Sequence, residues 1–254
     1  MLARKSIMPP RTVLITGAAG RIGSYLTQSF GQRYALSLTD ARPPAETYGH
    51  PFARAELADL DALRALCQGV DTVLHLAADP RTFAPWESLL PNNIVGAYNV
   101  LEAAREAGCR RVVFASTVNA VGGHPRDVQV HTDMPVAPGN LYGASKAWGE
   151  AAAYHYAHTH GLSCICLRFG WVCTREQASQ QRNPYLLEVA LTLEDLALLV
   201  ESALDAPGEL RFGVFHGVSD NRFKRLDITD TRERLGYAPR DDAFALAGLL
   251  NADR

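Results

Sequence analysis

Thr12-Val-Leu-Ile-Thr16-Gly17-Ala-Ala-Gly20-Arg-Ile-Gly23 is the stretch that decides the fold. Its first five residues are apolar or β-branched and read as a buried strand. The residues that follow place Tyr25, Leu26 and Phe30 at helical spacing. Strand, glycine turn and helix, in that order, make the first unit of a sheet that binds a dinucleotide. Gly17 permits the tight turn, Gly20 lets the main chain approach a pyrophosphate, and Gly23 lets the helix pack closely. The helix N-terminus offers N–H donors and a positive dipole end to the phosphates. A glycine trio is weak evidence by itself; its place at the first strand-to-helix turn carries the reading.

The second strand, Ala35-Leu-Ser-Leu-Thr39, ends on Asp40, 17 residues beyond Gly23. A carboxylate there meets the adenosine ribose, accepts its hydroxyls and repels a 2′-phosphate, so NAD is the expected cofactor and NADP ranks second. Arg42 has the sign to meet a 2′-phosphate, but Pro43-Pro44 sets it on a turning loop.

Far along the chain, Tyr142-Gly-Ala-Ser-Lys146 follows the turn-forming Pro138-Gly139-Asn140. Positions i and i+4 share a helix face. A nearby cation stabilises a phenolate and lowers its pKa from about 10 toward a value useful for taking a proton from an alcohol. With the glycine turn and Asp40, the pair reads as the acid/base half of a nicotinamide site. A hydroxyl at the C-terminal end of the fifth strand is placed to bind the same reacting oxygen, and Ser116 and Thr117 both qualify. Asn93 has the right chemistry to cap the helical run that follows it.

Gly17-x-x-Gly20-x-x-Gly23 with Tyr142-x-x-x-Lys146 resembles the extended short-chain dehydrogenase/reductase family, also called the NAD-dependent epimerase/dehydratase family. Asp71 to Ala78, Asn93 to Ala104, Arg111 to Thr117 with Gly122, and Leu235 to Arg240 extend the resemblance over most of the chain. It implies cofactor contacts from Arg21, Ile22, Leu76, Ala77, Ala78, Tyr142 and Lys146, and an adenine pocket at Glu56-Leu57. It also selects Thr117 as the catalytic hydroxyl, five residues before Gly122, and gives Asn93 a water that connects the Lys146 amine to solvent. A homodimer built on the two long helices is implied as well.

Within the family the chain is most similar to compact uronate and aldose dehydrogenases, which oxidise the anomeric carbon of a free sugar to a lactone. Val118 stands where a sugar 4,6-dehydratase keeps an acid, and only 86 residues follow Arg168, few for holding a nucleotide sugar. Substrate contacts are implied at Asn119 and at Arg182, which lies about where uronate dehydrogenases carry the arginine that pairs with the carboxylate. The chain departs from that pattern at Pro80, where a Ser is expected, and at Val118-Asn119, where Asn-His is expected. The expected chemistry is hydride transfer to the nicotinamide, with Tyr142 taking the hydroxyl proton, Thr117 bound to the same oxygen and Lys146 holding the nicotinamide ribose. A nucleotide-sugar epimerase, a small-carbonyl reductase and a non-catalytic NAD(P) sensor are the alternatives. The intact Tyr142 and Lys146 argue against the sensor.

The remaining features narrow the field. Twenty-five basic against 27 acidic residues, with no basic cluster, give no support to nucleic-acid binding. No apolar run reaches membrane-spanning length and residues 1–10 are too short of apolar residues for a signal peptide, so the expected location is cytoplasmic. Cys67, Cys109, Cys164, Cys166 and Cys173 are odd in number without Cys-x-x-Cys spacing and read as reduced, mostly buried thiols. The eight His show no ligand pattern, so no metal is expected; His155, His158 and His160 read as the solvated face of a helix.

Strands are expected at 12–16, 35–39, 52–55, 71–76, 111–115 and 162–167, with another possible at 212–218. Long helices are expected over about 86–107 and 141–160, and a further one over 193–204. Ala144, Ala147, Ala151 and Tyr154 offer an apolar face to the sheet or to a second subunit. The polar run 177–184 reads as a loop over the site. The fold is therefore α/β, a Rossmann-type doubly wound parallel sheet with a small C-terminal substrate-binding part. It is taken as one domain over 1–254, with roughly 11–168 as cofactor-binding core and 169–254 as mostly substrate-side segments.

Overall fold

The structure, a computed structural model, describes residues 10–31 and 33–249. Residues 1–9, most of the segment judged too short for a signal peptide, lie outside the described residues. The chain opens with β1 (Thr12–Thr16), α1 (Arg21–Phe30), β2 (Ala35–Asp40), β3 (Phe52–Arg54), α2 (Leu60–Leu66) and β4 (Thr72–His75). Next come α3 (Trp86–Leu89), a π-helical turn over Leu90–Val95 and α4 (Gly96–Glu106), then β5 (Arg111–Thr117), α5 (Leu141–His160) and β6 (Ser163–Phe169). The last part holds β7 (Trp171–Cys173), α6 (Arg175–Gln180), α7 (Pro184–Leu187), β8 (Ala190–Thr192), α8 (Leu193–Leu204), β9 (Phe212–Gly217), α9 (Thr229–Leu235) and α10 (Ala243–Leu246).

Seven of these strands form one parallel sheet in the order β3-β2-β1-β4-β5-β6-β9. The chain runs outward from β1 through β2 to β3, then crosses to β4 on the other side of β1. That reversal opens a crevice beyond the C-terminal ends of β1 and β4, where such sheets bind ligands. Alternation of side chains divides the core into two layers. Val13, Ile15, Val113, Ile165 and Leu167 face Leu26 and Phe30 of α1 and Leu196, Leu199 and Val200 of α8. Leu14, Val112, Phe114, Cys164 and Cys166 face Ala97 and Leu101 of α4 and Ala153 and Ala157 of α5. All five thiols are buried and free, as expected of packing cysteines. Burial pushes the Cys173 thiol up to about 11.

Several expectations change in detail. The helix expected over 86–107 is interrupted by the π-turn that contains Pro91. The first half of the polar run 177–184 belongs to α6, because Thr174 and Gln177 form a reciprocal cap at its start, Oγ1 accepting from Gln177 N and Oε1 from Thr174 N at 3.0 Å each. Asn183 then caps α7. The three-residue strands β7 and β8 pair in a small second sheet with no counterpart in the expected strands. On α5, Ala151 and Tyr154 are exposed and Ala144 and Ala147 half-buried; the face that packs on the sheet is Gly143, Lys146, Gly149, Glu150, Ala153 and Ala157. His155, His158 and His160 are exposed. No helix among the described residues is long and apolar enough to cross a membrane.

Arg111, fully buried at the start of β5, closes the C-terminal end of α8. Its guanidinium donates to the carbonyls of Ala203, Ala206 and Pro207 at 3.0, 2.7 and 2.7 Å and to Ser163 Oγ at 3.0 Å. Arg111→Leu leaves those carbonyls without their donor and is expected to destabilise the fold by about 3 kcal/mol. The half-buried neighbour provides the control: Arg110→Leu breaks an ion pair to Asp71 and should cost under about 1 kcal/mol. Urea midpoints of the two variants measure the difference.

Candidate active site

A cavity of about 850 Å³ lies along the crevice. It is lined at one end by Asp40, Arg42 and Glu56 after β2 and β3, and at the other by Thr117, Asn119 and Tyr142 beyond β5. Gly17 sits at φ +75°, and a Cβ there would lie 2.7 Å from Ala77 N, so the loops after β1 and β4 touch only because the residue is glycine. A Cβ on Gly23 would lie 2.2 Å from Gly17 O, which accounts for the close seat of α1. Gly20 caps α1 without a side-chain hydrogen bond, leaving first-turn amides turned toward the cavity end where an anion would bind. Asp40 ties this turn to the end of β2, Oδ2 accepting from Ala19 N at 3.0 Å and Oδ1 from Arg42 N at 3.1 Å.

These features fit a dinucleotide: a bare-backbone turn at a helix start for the pyrophosphate and a carboxylate at the second strand for the ribose. Gly17, Gly20, Arg21, Ile22, Gly23, Asp40, Glu56, Leu57, Leu76, Ala77 and Ala78 all line the cavity, as do Tyr142 and Lys146. Arg21 has a second engagement, donating to Val172 O at 3.1 Å and Gln177 Oε1 at 2.6 Å, so it links α1 to β7 and α6.

Of the two hydroxyls at the end of β5, both line the cavity but only one is available there. Ser116 Oγ donates to Glu150 Oε1 at 2.5 Å. Thr117 Oγ1 accepts from Asn119 N at 3.2 Å and Asn119 Nδ2 at 3.0 Å, which leaves its proton for another acceptor. Asn119 in turn accepts from Asn140 Nδ2 at 3.0 Å, and Asn140 caps α5 through Gly143 N at 2.8 Å. Thr117 and the start of the Tyr142 helix are thus joined by one chain of hydrogen bonds.

The electrostatics differ from the expected lowering of the phenol by the neighbouring ammonium. Burial pushes Tyr142 up to about 12; the Thr117 hydroxyl pulls it partly back and the Asp79 carboxylate raises it further. Burial also drives Lys146 down to about 8, with the Cys166 sulfur acting weakly against that. The reason is desolvation, the largest influence on each, which opposes both charged forms. The Lys146 amine sits 4.9 Å from the centroid of the Phe114 ring.

Two predicted residues lie elsewhere. Asn93, 2 % exposed, does not line the cavity: Oδ1 accepts from Asp79 N at 2.8 Å, and Nδ2 donates to Asp79 O at 3.1 Å and Ser145 Oγ at 3.0 Å. It lies inside the π-turn rather than at a helix N-cap, and its side chain ties the loop after β4 to α5. Arg182 is exposed and does not line the cavity; its Nη1 donates to Ser179 O and Gln181 O at 2.7 and 2.8 Å.

The sequence reading passed over Gly143, Glu150 and Arg168. A Cβ on Gly143 would lie 2.2 Å from Asn119 O, so no larger residue sits beside Tyr142 without moving the loop that holds Thr117. Glu150, one further i+4 step beyond Lys146, accepts from Arg168 Nε at 2.8 Å and a terminal guanidinium nitrogen at 2.7 Å, both side chains almost wholly buried. The repeating four-residue step of Tyr142, Lys146 and Glu150 was the available signal.

This geometry defines a parallel-sheet oxidoreductase that uses a nicotinamide dinucleotide. The chain belongs to the NAD dependent epimerase/dehydratase family, whose model matches residues 13–199. It is an enzyme, and its cofactor is NAD. It is similar to a uronate dehydrogenase of Pseudomonas putida, 33 % identical over 96 % of this chain and 89 % of the relative. It is also similar to an L-arabinose 1-dehydrogenase (NAD(P)(+)) of Haloferax volcanii, 30 % identical over 91 % of this chain and 97 % of the relative. Among solved structures, a mutant uronate dehydrogenase from Agrobacterium tumefaciens complexed with NAD is 31 % identical, with a TM-score of 0.84 over 94 % of this chain and 88 % of that one.

The Lys146 shift sets a sign for stability. The folded amine titrates near 8 and the unfolded one near 10.5, so the folded state carries the full cost of a buried charge below pH 8 and sheds it as pH rises toward 10.5. That cost is on the order of 3 kcal/mol. Tyr142 acts in the opposite direction, its contribution being lost only above its ordinary value of 10. Lys146→Met is therefore expected to melt above the parent near neutral pH, the gap closing toward about pH 10. Thermal melts of cofactor-free protein across that range test it.

Proposed function

We propose that this enzyme oxidises the anomeric carbon of a free sugar or sugar acid to a lactone. The observation that carries the reading is the juxtaposition of Tyr142, Lys146 and Thr117 at the far end of the cavity from Asp40. Similarity to sugar dehydrogenases along nearly the whole chain supports it. NAD, when bound, would supply the hydride acceptor. Tyr142 takes the proton of the substrate hydroxyl, and Thr117 Oγ donates to the same oxygen. Lys146 would hold the cofactor ribose through its amine and favour the phenolate by its charge. Asn119 orients Thr117, while Asn93 and Glu150 hold the elements on which these groups sit.

We read residues 1–254 as one Rossmann-type domain, the part to about 168 binding the cofactor and the rest mostly shaping the substrate side. A cytoplasmic homodimer completes the proposal. It is supported by exposed Tyr98 on α4 and exposed Leu141, Trp148 and Tyr154 on α5, apolar surface that a second copy would cover.

Tyr142→Phe is expected to abolish NADH formation while leaving the NAD dissociation constant within about threefold, read by isothermal titration beside a 340 nm assay. Near-parental turnover in that variant would sink the assignment. Asp40→Ser should lower kcat/KM for NAD by roughly tenfold or more and narrow the preference over NADP.

A further inference from the structure

The strand order gives the cavity a direction, so its substrate end can be examined apart from its cofactor end. Thr117 pairs with Phe169 across β5 and β6, and the chain continues directly into Gly170 and Trp171. A Cβ on Gly170 would lie 2.0 Å from Val189 O, and Trp171 N donates to that same carbonyl at 2.7 Å, so β7 and the segment between α7 and β8 are pressed together beside the catalytic hydroxyl. The walls contributed around Tyr142 and Thr117 are Pro80, Val118, Trp171, Leu186 and Val189. The neighbouring lining residues Thr82, Asn92 and Asn119 are polar and uncharged.

Among the described residues lining the cavity the cations are Arg21, Arg42 and Lys146. Arg42 stands at the adenosine end after β2. Arg21 stands over the glycine turn with its guanidinium engaged by Val172 and Gln177. Lys146 is buried on the helix behind Tyr142. Arg81 lies between the lining residues Pro80 and Thr82, but its guanidinium is held by Asp79, Nε on Oδ1 at 3.0 Å and a terminal nitrogen on Oδ2 at 2.6 Å. Arg182 is outside. A carboxylate or phosphate brought to this end would lose water and meet no arginine, and Lys146, the one lysine there, is committed to the cofactor ribose in the reading above.

We infer that the substrate is an uncharged aldose bearing hydrogen or methyl where a uronate bears its carboxylate, a pentose or 6-deoxyhexose whose apolar edge packs on Trp171 and Leu186. This rests on the sugar-oxidation reading above and names the class of sugar within it. The departures at Pro80 and Val118 then have a physical sense: they replace polar contacts with apolar wall.

The test is a panel of kcat/KM values for NADH formation with purified enzyme: D-xylose, L-arabinose, L-fucose, D-glucuronate, D-galacturonate, glucose 6-phosphate and UDP-glucose. A pentose or the 6-deoxyhexose is expected to exceed both uronates and the sugar phosphate by roughly tenfold or more. Leu186→Arg should raise kcat/KM for a uronate and narrow that gap, and Trp171→Ser should raise KM for the preferred sugar with a smaller change in kcat. Preference for a uronate or the sugar phosphate overturns the inference and leaves sugar oxidation standing; loss of a uronate preference in Arg182→Gln would show that Arg182 enters the site. Turnover of UDP-glucose with no free sugar oxidised removes both readings.

Discussion

The close seat of α5 on the middle of the sheet is the constraint on which the site depends. Gly149 lies where a Cβ would meet the Phe114 ring at 2.3 Å, and Gly143 where one would meet Asn119 O at 2.2 Å. The two glycines let one face of the helix approach β5 and the loop after it, and the buried Glu150 to Arg168 pair holds it there. Tyr142 and Lys146 share that face. A shift of α5 by one ångström would separate the phenol from Thr117, so packing of the helix and geometry of the site are the same problem.

The closeness is costly. It buries a phenol, an ammonium and, on β4, His75, whose imidazole is pushed down to about 3 by burial and then by the Lys146 charge. Such groups are poor contributors to stability, and their clustering at one end of a crevice is the mark of a site shaped for proton chemistry. Hydroxyl acceptors on a bound cofactor would favour the buried ammonium, and the ammonium together with an oxidised nicotinamide would favour the phenolate. The apolar walls beyond them strengthen every such interaction by excluding water.

Much of this was legible from periodicity and glycine placement. The buried strands of the sheet are short apolar runs with turn residues at their ends, and Leu141–His160 begins at a capping Asn140 and ends at Gly161 in the left-handed region. The misses have local causes. Strands β7 and β8 are three residues each, too short for a period, and exist because Gly170 lets two chain segments touch. The polar run after Thr174 looks like a loop by composition, but a capping box starts a helix in it. The side-chain partners of Asn93, Asp79 and Ser145, lie 14 and 52 residues away in the chain, so spacing alone did not show them.

By itself the sequence determined the succession of strands in the central sheet, the glycine turn, the carboxylate at the end of β2 and the four-residue step from Tyr142 to Lys146, because each is set by backbone conformation or by spacing along one element. Only the tertiary structure showed Ser116 held by Glu150, placed Arg182 outside the cavity lining and set burial against ionisation of the phenol. Those outcomes turn on which groups from distant elements share a dry space, and desolvation and partner choice are properties of that space rather than of any stretch of chain.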